Sequence, residues 1–314
     1  MSPSCGPNTL SSSYYRKSAM PKIVSIINLK GGVAKTTTTV QLAECLVSQF
    51  GKKVLVIDLD PQTNSTIALL DEEKWEQLDA NDETLFHLFS DKLEKTKTFD
   101  LTKALQKNVS NLHLRNLHLL ASSIRFIDIQ DRISEIPGKT GYAINPMEII
   151  KSTVYPILSG YDYVLIDCPP NLGFITRNGI EISDYYLIPT IPDTLSTYGI
   201  PQIIKTIDQF RKERNLSITC LGLLITKFDS RSNAHDRGKR NLPVRFAKIF
   251  SDLNLPPAPI FDTVMPQANA TSEAMEFTNT PTSFRQKYGR SKSGDRYLYE
   301  YVEDLAREFI KNAK

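Results

Sequence analysis

Long apolar runs, clustered cysteines and a strong charge bias are all missing from this sequence. No stretch of the chain is apolar for long enough to span a membrane, so a transmembrane protein of the helical kind is not expected. Four cysteines are present, Cys5, Cys45, Cys168 and Cys220, and they lie far apart with no C-x-x-C pair. That spacing argues against a disulfide framework or a zinc site and makes a reducing cytosol the default setting. The formal net charge is only +3, so the placement of charge matters more than its sum. Residues 1–19 lack the apolar core of a signal peptide. They are rich in Ser, with Pro, Gly and Asn, and read as a disordered leader before a fold that starts at Met20. No linker and no internal repeat breaks the rest, so 20–314 is expected to be one domain.

What is present is most concentrated at residues 23–39, IVSIINLKGGVAKTTTT. Ile23–Ile27 has the mostly aliphatic pattern of a strand buried on both faces. Two glycines, a lysine and four threonines follow, and Val40, Ala43, Leu46 and Val47 then recur at helical spacing. A strand, a Gly-containing turn and a helix N-terminus make an anion site, because backbone N–H groups and the helix dipole converge there. Lys35 adds a point charge and the Thr36 hydroxyl can hold Mg²⁺, which is phosphate-loop chemistry. The match to G-x-x-x-x-G-K-[ST] is imperfect, since its two glycine positions fall on Leu29 and Ala34. An Ala at that second position restricts the loop backbone unless its φ is negative.

Two further aliphatic runs end in acids. Lys53–Leu59 leads into Asp58-Leu59-Asp60-Pro61, and Tyr161–Cys168 carries Asp167 before two prolines. In open parallel sheets ligands lie beyond the carboxyl ends of strands. A carboxylate there, opposite Lys35-Thr36, can hold a metal-bound water. Further strands are expected at 112–120, 185–189, 219–226 and 259–264, with helices between them. The alternation predicts an α/β fold, a mostly parallel twisted sheet with helices on both faces. Residues 71–83 carry seven acids against one lysine and read as a solvated helix. Residues 227–248 hold seven Lys/Arg against two Asp, and 285–296 are basic again. The final helix, Tyr297–Lys311, sets Leu298, Tyr301, Val302, Leu305 and Phe309 on one stripe, with a largely acidic opposite face. That is a docked core helix and not a basic membrane-surface helix.

Taken together, Lys30-Gly31-Gly32-x-x-Lys35-Thr36-Thr37, the DLDPQ-N-ST segment, Asp167-Cys-Pro-Pro and the late loops at 226–231 and 264–267 resemble the ParA/MinD family of deviant-Walker P-loop ATPases. The likeness is to its ParA-type positioning members, those of plasmid partition and of carboxysome positioning, and runs from about Lys22 onward. It implies ATP and Mg²⁺ as cofactors, held by the loop Lys30, Gly31, Gly32, Val33, Ala34, Lys35, Thr36 and Thr37. Lys35 would contact the β- and γ-phosphates and Thr37 the α-phosphate. Thr36 would bind the metal, Asp167 a metal water, and Asp58 would support the metal shell. Lys30 would be the signature lysine, reaching the ATP of the partner in a sandwich homodimer, and Asp60 would position the attacking water. Lys227, Phe228, Pro266 and Gln267 would cup adenine.

The resemblance further implies a slow, partner-stimulated ATPase whose ATP-bound dimer grips DNA without sequence preference. Its basic contacts would come from Arg231, Arg237, Lys239, Arg240, Arg285, Lys287, Arg290 and Lys292. A cargo-adaptor protein would trigger release, distributing a plasmid or a protein organelle over the nucleoid in the cytoplasm, with no membrane involved. Three other readings stand beside it: a MinD-like membrane switch, an iron–sulfur scaffold on the same fold, and a binding module that does not hydrolyse nucleotide.

Overall fold

The computed structural model describes residues 20–277, 280–290 and 292–314. The expected leader, 1–19, lies outside the described residues. Eight strands form one sheet: β1 Lys22–Ile26, β2 Val54–Asp58, β3 Leu105–Lys107, β4 Leu117–Leu120, β5 Tyr163–Asp167, β6 Tyr185–Thr190, β7 Thr219–Phe228 and β8 Ile260–Pro266. Their order is β3-β4-β2-β5-β1-β6-β7-β8. Within this sheet the β3–β4 pair is antiparallel and every other neighbouring pair is parallel. Helices cover both faces, as the alternation predicts.

The central strands show why aliphatic runs form them. Side chains alternate across a strand. Ile23, Leu55, Ile57, Val164 and Ile166 enter one core, while Val24, Ile26, Val54, Val56 and Leu165 enter the other. Each such side chain is almost fully buried, worth roughly 1.5–3 kcal/mol apiece. The helix Lys35–Ser48 packs with the last helix, Leu298–Asn312, over the second core. Leu298, Val302, Leu305, Ala306 and Phe309 are all buried in that core. Among the described residues no helix is long and apolar enough to cross a membrane.

Several expected elements come out differently. The strand expected over 112–120 is confined to Leu117–Leu120. The polar segment after Asp60 becomes a helix at Asn64–Leu69. Residues 126–136 form no single helix: Phe126–Ile129 is followed by a 3₁₀ turn at Arg132–Glu135. The basic stretch after β7 is a 20-residue helix, Asn233–Asp252. Pro243 and Gly238 inside it hide a buried stripe of Leu242, Phe246 and Phe250 at a spacing of four. Gly238 is needed there, because a Cβ at that position would sit 1.7 Å from the Pro192 carbonyl oxygen.

A buried polar cluster ties the helix Lys35–Ser48 to the short helix Phe284–Tyr288. Glu44 Oε1 accepts from Lys287 Nζ at 2.7 Å and from Ser110 Oγ at 2.5 Å, and Oε2 accepts from the Tyr288 hydroxyl at 2.6 Å. Lys287 Nζ also donates to Asn111 Oδ1 at 2.8 Å. The Lys287 side chain is 2% exposed and that of Glu44 0%. Lys287 therefore does not belong with the basic surface residues: its charge is spent internally. Removing one partner of a buried pair leaves the other charge uncompensated. Lys287→Met is expected to lower the free energy of unfolding by about 3 kcal/mol in urea titrations followed by circular dichroism. Unchanged stability would show that the lysine is not a structural partner of Glu44.

Candidate functional site

β2, β5 and β1 lie side by side, so their carboxyl ends set three loops in a row. Asp58 and Asp167 are register partners across β2 and β5, and Ile26 faces Asp167 across β1 and β5. The loop after β1 therefore runs over the acidic end of β5 before entering the helix Lys35–Ser48. Asn28 fixes the start of that loop: its Nδ2 donates to the Pro189 carbonyl at 2.8 Å and its Oδ1 accepts from Lys30 N at 2.9 Å. Thr226 Oγ1 fixes the far side by donating to the Val33 carbonyl at 3.0 Å.

Ala34 sits at φ 66°, ψ 32°, immediately before the helix. This is the left-handed region that glycine adopts freely and an alanine adopts at a cost of about 1–2 kcal/mol. Two more non-glycine residues around the site share it, Thr63 at φ 55° and Lys227 at φ 48°. Strain of this kind persists only where the surroundings over-determine the backbone.

A cavity of about 620 Å³ opens here. Gly31, Gly32, Ala34, Lys35, Thr36 and Thr37 form its floor, and Asp60 borders it. Lys227, Pro266 and Gln267 line the same cavity. Phe228 is not among the lining residues. Its ring packs near His235, with Lys239 Nζ 5.2 Å above it, so the reading of Phe228 as an adenine contact is corrected. Gln41, Ala68, Thr271, Ser272 and Met275 also line the cavity, and the sequence reading missed them. Gln41 falls on the same helix face as Thr37 and Thr38, a signal that spacing alone contained. The helix Asn269–Ala274 carries no periodic pattern that would have shown Thr271 or Ser272. Gln41 is 2% exposed, and its Nε2 finds no hydrogen-bond partner among the described residues.

The charged groups fall into separate roles. Lys35 is 6% exposed and its Nζ donates to the Lys30 carbonyl at 3.3 Å. Burial pulls its pKa down, opposed by the charges of Asp167 and Asp60. Asp60 is pushed up by burial, and its Oδ1 accepts from Gln62 N at 3.0 Å. Asp167 is fully buried and raised to about 6, again mainly by burial, against the lowering effect of the Ser65 and Thr36 hydroxyls. Its Oδ2 accepts from Ser65 Oγ at 2.7 Å, while its Oδ1 has no partner among the described residues. An orphaned carboxylate oxygen beside a threonine hydroxyl at a helix N-terminus suits a hard cation with oxygen ligands.

Asp58 does not share that role. Its Oδ2 accepts from Thr66 N at 2.9 Å and Thr66 Oγ1 at 2.7 Å, and its Oδ1 accepts from Asp60 N at 3.1 Å. Both oxygens hold the turn that carries Asp60 and neither is orphaned, which sets Asp58 behind Asp167 as a direct ligand candidate. Ser122 Oγ steadies the same turn by donating to the Asp60 carbonyl at 2.8 Å.

Lys30 lies outside the cavity. Its Nζ donates to Ser196 Oγ at 2.8 Å and stands 3.8 Å from Asp193 Oδ1. The basic residues divide between two regions. Arg237, Lys239 and Arg240 are exposed on the helix Asn233–Asp252, with Arg231 just before it in a pair with Asp229. Arg285, Arg290 and Lys292 are exposed on the later segment, where Lys292 lies over the Tyr297 ring.

Comparison with known proteins agrees with this architecture. A family model described as an AAA domain matches residues 21–220. The sporulation initiation inhibitor protein Soj of Bacillus subtilis is 29% identical over 294 residues, covering 93% of this chain and 100% of its own length. The chromosome partitioning protein ParA of Myxococcus xanthus is 26% identical over 293 residues, covering 92% of this chain and 88% of its own. Among solved structures, cobyrinic acid a,c-diamide synthase from Mycobacterium smegmatis superposes with a TM-score of 0.66 at 21% identity, over 93% of this chain and 94% of its own. A variant of McdA from Cyanothece in complex with ATP does so with a TM-score of 0.65 at 20% identity, over 93% and 97%. At such identities the two structures establish the shared fold and nothing about the reaction.

Because the loop needs a left-handed residue where it has an alanine, Ala34→Gly is expected to stabilise the protein by about 0.5–1 kcal/mol. Relief of strain outweighs the added freedom of the unfolded chain. A urea midpoint shifted downward would show that the alanine is not strained.

Proposed function

The chain belongs to the ParA-type P-loop ATPases of the AAA-domain family, and on that premise we propose that it is a Mg²⁺-dependent ATPase that works as a switch on DNA. The observation that carries this reading is the phosphate cradle: a strained loop, a buried Lys35 and the orphaned Asp167 oxygen converge at one helix N-terminus. Backbone N–H groups and Lys35 would hold the β- and γ-phosphates there. Thr37 would meet the α-phosphate, and Lys227, Pro266 and Gln267 would border the base. Thr36 and Asp167 would hold Mg²⁺, directly or through water. When bound, that ion would neutralise charge building on the phosphates. Asp60, held by Gln62 N and by the turn that Asp58 shapes, would orient the attacking water.

The outward-facing Lys30 supports pairing of two copies. Its ammonium does not border its own cavity, and its side chain is 40% exposed. A lysine placed so can supply charge to the nucleotide of a second copy, as an arginine finger does in other phosphoryl-transfer enzymes. The pair would then present Arg231, Arg237, Lys239, Arg240, Arg285, Arg290 and Lys292 to DNA without reading its sequence. An adaptor protein that stimulates hydrolysis would release the pair, and the cycle would distribute a plasmid or organelle over the nucleoid.

Two outcomes check this. Lys35→Ala should lose measurable ATP binding by calorimetry, and retained affinity would contradict the cradle. Binding to random-sequence duplex should need ATP and fall steeply with salt on a log–log plot. Salt-independent or nucleotide-independent binding would contradict the proposed switch.

A further inference from the structure

The anchor that holds Lys30 is more elaborate than a surface ion pair. Ser196 is 1% exposed and its hydroxyl stands between two charges. It accepts from Lys30 Nζ at 2.8 Å and donates to Asp193 Oδ2 at 2.8 Å. Asp193 Oδ1 accepts from Ser196 N at 2.7 Å, capping the short helix Thr194–Tyr198, and stands 3.8 Å from the ammonium. The segment is pinned on both sides. Thr190 Oγ1 donates to the Ser196 carbonyl at 3.3 Å, and the Pro192 carbonyl packs directly on Gly238. The Lys30 backbone is fixed in turn by Asn28, whose amide also holds the Pro189 carbonyl. Both ends of the Lys30 side chain are thus referenced to β6 and the residues that follow it.

We propose that Asp193, acting through Ser196, is a positioning residue for Lys30: it holds the ammonium against its own chain and away from any phosphate until a second copy displaces it. The proposal rests on the reading of Lys30 as a residue that serves the partner's nucleotide. Lys30 must leave Asp193 to meet a phosphate, so the anchored state opposes pairing by the strength of this contact. Nucleotide binding to a single copy is untouched, because Lys30 does not border its own cavity. The anchor therefore sets how readily loaded copies pair, not how readily they load.

The substitution Asp193→Asn removes the charge while keeping an oxygen to cap Ser196 N. Sedimentation with a slowly hydrolysed ATP analogue gives the dimer dissociation constant. Fluorescence titration at low protein concentration gives the affinity of the single copy. Asp193→Asn is expected to lower the dimer constant about three-fold, the size appropriate to a half-exposed ion pair, with single-copy affinity unchanged. Ser196→Ala, which removes the bridging hydroxyl, should act in the same direction. On a Lys30→Met background, which should itself pair poorly, Asp193→Asn should add nothing. If Lys30→Met pairs as well as the parent, the reading of Lys30 and this proposal fall together. If Lys30→Met fails to pair but Asp193→Asn leaves the dimer constant unchanged or raises it, only the anchor is wrong.

Discussion

Lys35 is an ammonium taken almost wholly out of water at the mouth of a parallel sheet. Burying a charge is costly unless it is paired, and the nearest carboxylates, Asp167 and Asp60, only partly compensate it. The hydrogen bond of the ammonium goes instead to the carbonyl of Lys30. The carboxylates are themselves pushed toward their neutral forms by burial. A polyanion would satisfy the lysine and the loop N–H groups, and a cation accompanying it would give the Asp167 carboxylate a counter-charge. The neighbouring features, from the strained loop to the cap of Asp58 on the Asp60 turn, serve to hold these charges in place without that anion.

The backbone records the same constraint. Ala34 in the loop after β1, Thr63 in the turn after β2 and Lys227 near the end of β7 all take positive φ. These segments meet around one cavity. Side-chain bonds hold these segments: Thr226 to Val33 and Asn28 to Pro189 tie the loop after β1 to β7 and β6, Ser122 to Asp60 ties the turn after β2 to the segment after β4, and Thr66 to Asp58 braces that turn from within. Strain in each segment is thus opposed by contacts made with another, which keeps the cradle formed before any ligand arrives. The helix Asn233–Asp252 joins this frame through the Gly238–Pro192 contact, so the basic surface and the Lys30 anchor share one rigid support.

The central strands and the phosphate loop were legible because burial on both faces leaves uninterrupted aliphatic runs, and because Gly31-Gly32-x-x-Lys35-Thr36 has few other uses. Charge was harder to read. Lys287 sits in a basic stretch with Arg285 and Arg290, yet its partner Glu44 lies 243 positions earlier in the chain. No local pattern marks one lysine of that run as buried. Asp58 looks like a ligand from its place at a strand end, and only the contacts with Thr66 and Asp60 N show that its oxygens brace a turn. Phe228 follows Lys227 directly, but the residue before it has a positive φ and the ring lies by His235 instead of the cavity. The helix Asn233–Asp252 was hidden by its own Pro243 and Gly238, two residues that ordinarily break a helix and here are accommodated by packing.

The deciding quantity is where the terminal phosphate of a bound nucleotide lies relative to two lysines. A crystal structure with a slowly hydrolysed ATP analogue and Mg²⁺ measures this directly. It should show Lys35 and Thr36 around the phosphates of their own chain's nucleotide, Asp167 beside the metal, and Lys30 against the terminal phosphate held by a second copy. A nucleotide seated away from the loop after β1, or a Lys30 still bound to Asp193 and Ser196 in a nucleotide-loaded pair, would contradict it.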